Sequence, residues 1–297
     1  MAIRRDHVEI SVPATSANLG PGYDCVGMAL DLRDRISVRA TTGPTEVRVT
    51  GEGAGKLPTD DTHLVVRAIR IGLDFAGAPQ AGLQLTCRNA IPHGRGLGSS
   101  AAAVVAGLMA ARAMVDQEEV FGLIHVLQLA TEIEGHPDNA APAIYGGVRL
   151  AWTDSGTTQT VALDCDTEQL TTTVVIPDFQ LATKKARGVL PETIAHRDAA
   201  FNVARAMMFT HALRHPELLL AATEDRLHQP YRRDVLSASM QVVDQLRSRG
   251  YPAVISGAGP TVLVFGTLDE LTTSALRAQR WRVWNLDIDT GGAKVLA

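Results

Sequence analysis

Pro92, His93, Gly94, Arg95, Gly96, Leu97, Gly98, Ser99, Ser100 and Ala101 make up the stretch of this chain best equipped to hold an anion. Alternating glycines let the backbone turn its N–H groups toward a ligand with no side chains in the way. The serines and the alanines after them open a helix whose first N–H groups lack partners and carry partial positive charge. A loop and helix start of this kind suit a polyphosphate. The spacing is neither the GxxxxGK(S/T) loop nor the GxGxxG turn. Used structurally, the same glycines would let a small-residue helix pack closely on a sheet.

A second set of chemically capable residues follows a predicted helix. Asp116 and Glu119 have the spacing of a capping box, and the helix is expected to run to Gly135. At 100° per residue, Val120, Leu123, Ile124, Leu127 and Ala130 share one face, and Glu134 falls on it. Glu132 falls with His125 and Gln128 on the polar side. A carboxylate at the end of an apolar stripe is costly unless paired or bound to a metal, so Glu134 is the functional candidate. His136, Asp138 and Asn139 follow at once, and such convergence of polar groups marks sites.

Other candidates are spread along the chain. Asn18, Tyr23 and Asp24 lie in a turn-rich stretch; they either serve the turns or suit a zwitterionic small molecule. Thr183, Lys184, Lys185 and Arg187 are expected in a loop after a strand, and Arg232 and Arg233 follow a Gln-Pro-Tyr run. Arginine is the natural clamp for a carboxylate, although charged loop residues commonly serve only solvation. His211 and His215 are spaced i, i+4 but lack a third ligand nearby.

The elements that must position these residues come from pattern. With 297 residues, 45% hydrophobic and 20% charged, the chain reads as an ordinary globular protein of one large or two ordinary domains. A net charge of −4 leaves no basic footprint for nucleic acid or membrane. Cys25, Cys87 and Cys165 are far apart with no CxxC pair, and the first residues lead straight into a strand, so a reduced, cytoplasmic setting is expected. The longest apolar run, 101–111, is too short to span a bilayer.

Strands are expected at 8–12, 35–40, 46–51, 83–88 and 148–152, and helices at 63–75 (capped from Asp60, Asp61 and Thr62) and from the glycine loop to about 115. A polar boundary at 164–171 divides the chain into segments 1–165 and 166–297. Beyond it come strand 172–176, helices 198–215, 217–227 and 234–249, strands 253–255 and 261–265, helix 269–280 and strand 282–288. That order is βαββαβ with extra helices, the split-βαβ or ferredoxin-like plan. The final residues are expected to add a short strand.

PATSANLGPGYDCVG, IPHGRGLGSSAAA and ISGAGPTVLVF, in this order, resemble the GHMP kinase superfamily. EGHPDNAAPAIYGG, ATKKARGVLP and LHQPYR are most similar to its homoserine kinase branch. The resemblance runs from Val8 to Phe265. It implies an α+β GHMP kinase fold, with an N-terminal α/β nucleotide-binding domain and a C-terminal ferredoxin-like domain. The implied reaction is ATP-dependent phosphorylation of the side-chain hydroxyl of L-homoserine, giving O-phospho-L-homoserine for threonine biosynthesis.

The resemblance also implies roles. The residues from Pro92 to Ala101 would wrap the ATP phosphates, and Ser100 and Glu134 would sit at Mg²⁺, which prefers oxygen ligands. Asn18, Asp24, His136, Asn139, Thr183, Arg187 and Arg232, with backbone at Gly257 and Gly259, would hold homoserine: Asp24 at the ammonium, Arg187 and Arg232 at the carboxylate, Asn139 near the reacting hydroxyl. Asp138 is the one counterpart of the aspartate base of mevalonate kinase; alternatively Asn139 orients the hydroxyl and a phosphate oxygen takes the proton late. His63 stands where the family commonly has Asn, near the expected adenine. The sequence itself sets no oligomeric state; the resemblance makes a homodimer the expectation. A sister kinase for another small alcohol, and a nucleotide-binding member without catalysis, are the competing readings; the two arginines with Asp24 favour an amino acid, and intact Ser100, Glu134 and Asn139 favour catalysis.

Overall fold

In the computed structural model, residues 2–117 and 119–296 are described. The first sheet is built on two long strands, β1 (His7–Asn18) and β2 (Gly22–Thr41), paired antiparallel along nearly their whole lengths. The first strand runs past the expected end at Val12, and Pro13 does not stop it. Instead this proline sits at a register shift between Pro13 and Ala14, where its missing N–H is tolerated, and the strand continues to Asn18. Asn18, Leu19 and Gly20 then take left-handed φ values of 67°, 48° and 93°, which turns the chain sharply into β2.

β3 (Glu46–Gly51) and β4 (Gly82–Asn89) are parallel neighbours joined by α1 (Leu64–Phe75), since parallel strands need a crossover. The N-cap of α1 is His63, whose Nδ1 accepts the Val65 N–H at 3.3 Å. Asp60, expected to cap, instead closes its own turn on the Thr62 N–H and hydroxyl at 2.9 and 2.6 Å. After the glycine loop comes α2 (Ser99–Val115), buried on almost every side; its alanines let β1 and α1 pack directly against it.

The capping box at Asp116 and Glu119 does not form. Asp116 instead ends α2 in a left-handed conformation with φ 53°, and its N–H returns to the Arg112 carbonyl. The next helix, α3 (Leu123–Glu134), starts after Gly122, whose N–H is accepted by His125 Nδ1 at 3.1 Å. Val120 and Ile124 are therefore exposed, while Val126, Leu127, Ala130 and Thr131 face the core. A short α4 (Ala140–Tyr145), not anticipated, is followed by β5 (Val148–Asp154) and β6 (Thr157–Leu163), which extend the sheet from β2.

A second sheet holds β7 (Thr172–Ile176), β8 (Ala253–Ile255), β9 (Val262–Phe265) and β10 (Arg282–Leu286) in the order β10-β7-β9-β8. That is the ferredoxin-like arrangement expected from the βαββαβ sequence. Its helices are α5 (Thr183–Arg187), α6 (His196–Ala212), α7 (Leu219–Ala222), α8 (Ser237–Ser248) and α9 (Glu270–Ala278). Thr183 to Arg187 form a helical turn rather than a loop, and the helix expected over 217–227 is reduced to the short α7 and the 3-10 turn before it. The chain then returns to the first sheet, where β11 (Lys294–Val295) pairs with β1. Among the described residues no helix is long and apolar enough to cross a membrane.

Candidate active site

The glycine loop is held by its carbonyls. Gly94 O accepts from Leu181 N at 3.1 Å, Arg95 O from Thr261 N at 3.1 Å and Gly96 O from Ser256 Oγ at 2.5 Å. Leu97 O accepts from Thr15 N at 3.2 Å and Gly98 O from Ala102 N at 2.8 Å. In contrast, no N–H from Gly94 to Ala101 donates to any described protein group. Carbonyls face the protein and amides face away, which is the polarity an anion requires.

Positive φ at Gly94, Gly96 and Gly98 (62°, 76° and 68°) alternates with ordinary backbone at Arg95 and Leu97 and produces this one-sided array. Glycine is obligatory at 98: a Cβ there would lie 1.9 Å from Thr15 Oγ1 and 3.1 Å from Asn139 Oδ1. Leu97 anchors the loop with a side chain that is 0% exposed, contributing about 1.5–3 kcal/mol by burial. The Arg95 guanidinium is committed to the carbonyls of Pro177 (2.9 Å), Asp178 (2.8 Å) and His93 (3.2 Å), so it ties the loop to the second sheet.

Two hollows meet at Ser99 and Ser100. The first, a cleft of about 280 Å³, gathers Asn18, Gly96, Gly98, Ser100, Ala101, Glu134, His136, Asp138, Asn139, Thr183, Arg187, Arg232 and Gly257. The second, about 230 Å³, is walled largely by Leu57, Pro58, Leu64, Val65 and Ala103, with His63, His93 and Asp34 among its polar groups. His63 and His93 are both held below the usual imidazole range, by burial above all. Asp24, Gly259 and the buried Pro92 are not on the walls of either hollow.

In the cleft, Ser100 Oγ donates to Glu134 Oε1 at 2.7 Å, so α3 ends with its carboxylate at the start of α2. Burial pushes the Glu134 carboxyl above its ordinary value, and the Ser100 bond partly offsets this. Glu132 is exposed and accepts from Gln128. His136 Nδ1 lies 2.5 Å from Asp138 Oδ1. Burial disfavours the imidazolium, but the Asp138 hydrogen bond and charge outweigh it and raise the His136 pKa. Asp138 Oδ1 also accepts from Asn139 Nδ2 at 3.2 Å, and Asn139 Oδ1 accepts from Thr15 Oγ1 at 2.8 Å. Asn139 is thus fixed from both ends at the start of α4.

The opposite wall carries the arginines. Arg187 donates to both oxygens of Asp24, at 2.6 and 2.9 Å, and to Tyr23 OH at 3.0 Å. Arg232, 1% exposed, donates Nε to Ala186 O at 3.1 Å and Nη1 to Gly257 O and His228 Nδ1, both at 3.0 Å. Its Nη2 donates to no described group, and the residue lines the cleft. Both guanidiniums lie over the Tyr23 ring, each centred 5.6 Å from its centroid. Asn18 joins the walls by donating to Gly257 O at 2.9 Å and accepting the Asp24 N–H at 2.9 Å.

Sequence reasoning named Tyr23 beside Asn18 and Asp24 without giving it a role, and did not assign Thr15 or His228 to the site. Thr15 lay beyond the expected end of the first strand, and only the continuation of β1 to Asn18 brings it to the site; His228 could be placed only by the fold. Ser100 and Glu134 offer two hard oxygens at 2.7 Å, which fits Mg²⁺, a cation that keeps waters and takes phosphate oxygens. Among the described residues no group of three or more His, Cys, Asp or Glu side chains is poised to cage a metal alone.

Residues 63–147 match the model of the GHMP kinases N terminal domain. The homoserine kinase of Streptomyces coelicolor is 46% identical over 99% of this chain and 96% of its own. That of Corynebacterium kroppenstedtii is 51% identical over 88% of this chain and 86% of its own. Among solved structures, homoserine kinase from Cytophaga hutchinsonii superposes with a TM-score of 0.84 at 27% identity, covering 99% of this chain and 98% of that one. Mevalonate diphosphate decarboxylase from Staphylococcus aureus, at 15% identity and a TM-score of 0.72, shares the fold.

Proposed function

Because the chain belongs to the GHMP kinases, and within them to the homoserine kinases, it is an ATP-dependent kinase, and we propose that it phosphorylates the side-chain hydroxyl of L-homoserine in the cleft between the glycine loop and Arg232. The observation that carries this reading is the loop's polarity. Its carbonyls are all engaged by the protein, its amides from Gly94 to Ala101 are all open, and two hollows meet at its serines.

In this proposal the apolar hollow takes the adenine, with His63 Nε2 free to meet it because Nδ1 caps α1. The loop amides and the start of α2 take the phosphates. Ser100 and Glu134 would hold Mg²⁺, which would supply positive charge to offset the negative charge of the phosphates. The free Nη2 of Arg232, with Arg187 beside it, takes the carboxylate of the amino acid. Asp24, its side chain 33% exposed, keeps lone pairs open to the ammonium. Thr183 and the Gly257 region close the cleft around the substrate backbone.

Asn139, fixed by Thr15 and Asp138, then orients the hydroxyl toward the γ-phosphorus. The hydroxyl oxygen bonds to phosphorus as the bond to the β–γ bridging oxygen breaks; ADP leaves and the hydroxyl proton passes late to a transferred phosphate oxygen. Asp138 has His136 and Asn139 on the same oxygen, which supports a role in holding them rather than as the base. An ADP-release assay with L-homoserine, D-homoserine, L-threonine and mevalonate, with and without Mg²⁺, tests the proposal. Turnover restricted to L-homoserine with Mg²⁺ is expected; preference for mevalonate, or no turnover, overturns it.

A further inference from the structure

Among fully buried side chains of the described residues Arg232 is the largest, and one of its three acceptors, His228, lies outside the cleft. Arginine has only donors, so His228 Nδ1, 3.0 Å from Arg232 Nη1, must carry a lone pair. The other ring nitrogen, Nε2, lies 2.8 Å from the Gly20 carbonyl, which only accepts, so the ring proton is on Nε2. Both neighbours demand the same neutral tautomer. A proton on Nδ1 would set two N–H groups against each other beside a guanidinium.

The ring is itself fixed. His228 is 0% exposed and stacks at a tilt 5.1 Å from Tyr23. Its own backbone N–H and those of Leu227 and Gln229 converge on the Asp225 carboxylate at 3.2, 2.7 and 2.7 Å. Burial, the largest influence, and the Arg232 charge hold the imidazole below its usual range, while Asp225 opposes this. Gly20 belongs to the β1–β2 turn, between Asn18 at the end of β1 and Tyr23 at the start of β2, so the ring links that turn to Arg232.

We propose that His228 is a positioning residue for substrate recognition: its Nδ1 lone pair holds Arg232 Nη1 so that Nη2 faces the cleft for the amino-acid carboxylate. This rests on the reading of Arg232 given under Proposed function. Without the acceptor, one buried N–H of the guanidinium loses its partner, and only the Ala186 and Gly257 carbonyls hold the group on its line.

Two amide variants separate this role from a structural one, because asparagine places its amide near the Nδ1 position and glutamine near Nε2. His228→Asn keeps an acceptor for Arg232 and gives up Gly20; His228→Gln keeps Gly20 and gives up the acceptor. With Arg232→Lys as control, the expected result is a KM for L-homoserine raised about tenfold or more in His228→Gln, with KM for ATP unchanged, and near wild type in His228→Asn. Equal losses in both variants that track a lower melting temperature overturn the proposal. So does a raised KM in Arg232→Lys with none in His228→Gln, which leaves the carboxylate reading standing. An unchanged KM in Arg232→Lys removes the carboxylate reading and the proposal with it. If His228→Gln does not fold, His228→Asn decides: a wild-type KM for L-homoserine supports the proposal and a raised one overturns it.

Discussion

Ser100 Oγ and Glu134 Oε1 meet at 2.7 Å, joining the start of α2 to the last residue of α3. Glutamine at 134 can accept the same bond but brings no charge. Glu134→Gln is therefore expected to fold with an unchanged melting temperature while kcat falls about 100-fold or more. Steady-state kinetics across Mg²⁺ concentrations check this; a kcat within a few-fold of wild type would remove Glu134 from the reaction.

Gly98→Ala tests the loop. The added methyl, 1.9 Å from Thr15 Oγ1, pushes on the contact that fixes Asn139, and φ 68° strains any L residue. A stability loss of about 1–3 kcal/mol by denaturant titration is expected. It should be accompanied by a drop in kcat/KM of about 100-fold. Wild-type kinetics would show that the loop tolerates a shift there.

Asp138→Asn distinguishes positioning from base catalysis. A general base contributes about 10²–10⁴-fold, so an aspartate that only holds His136 and Asn139 should leave turnover within about tenfold. Pre-steady-state kinetics with intact substrate binding make the measurement. A loss of several orders of magnitude would identify Asp138 as the base.

Asp34 makes stability pH-dependent. Burial raises its carboxyl from 3.8 to about 6, although the Ala90 and Ile91 N–H groups, at 2.7 and 2.9 Å, pull the other way. Between these values the folded state keeps a proton that the unfolded chain has lost, so this contribution is present below 3.8 and is lost as pH rises through about 6. Asp34→Asn, which retains an acceptor for both amides, should gain stability relative to wild type across that window, by no more than about 3 kcal/mol. Chemical denaturation at several pH values checks it; a constant difference would contradict it.

How much of this was legible in the sequence depended on range. β3 (Glu46–Gly51) and β7 (Thr172–Ile176) lie where pattern puts them, because alternation and β-branched runs are local signals. β6 (Thr157–Leu163) was missed: its buried position is taken by Thr158 while Val161 faces solvent, which leaves almost no apolar period. The cap of α1 was misassigned because Asp60 and Thr62 are better capping letters than His63, yet they satisfy each other. The resemblance assigned both Asp24 and Arg187 to the substrate but not to each other, and their pairing, like that of His228 with Gly20, arises only when distant segments meet.

The central claim is that the open amides of the glycine loop receive the phosphates of ATP while Arg232 receives an amino-acid carboxylate across the same cleft. A crystal structure with a non-hydrolysable ATP analogue, Mg²⁺ and L-homoserine tests it most directly. The account predicts phosphate oxygens on the N–H groups between Gly94 and Ala101, and the homoserine carboxylate on Arg232 Nη2 with its hydroxyl at Asn139. Phosphates away from the loop, or a carboxylate that leaves Arg232 Nη2 without a partner, would contradict it.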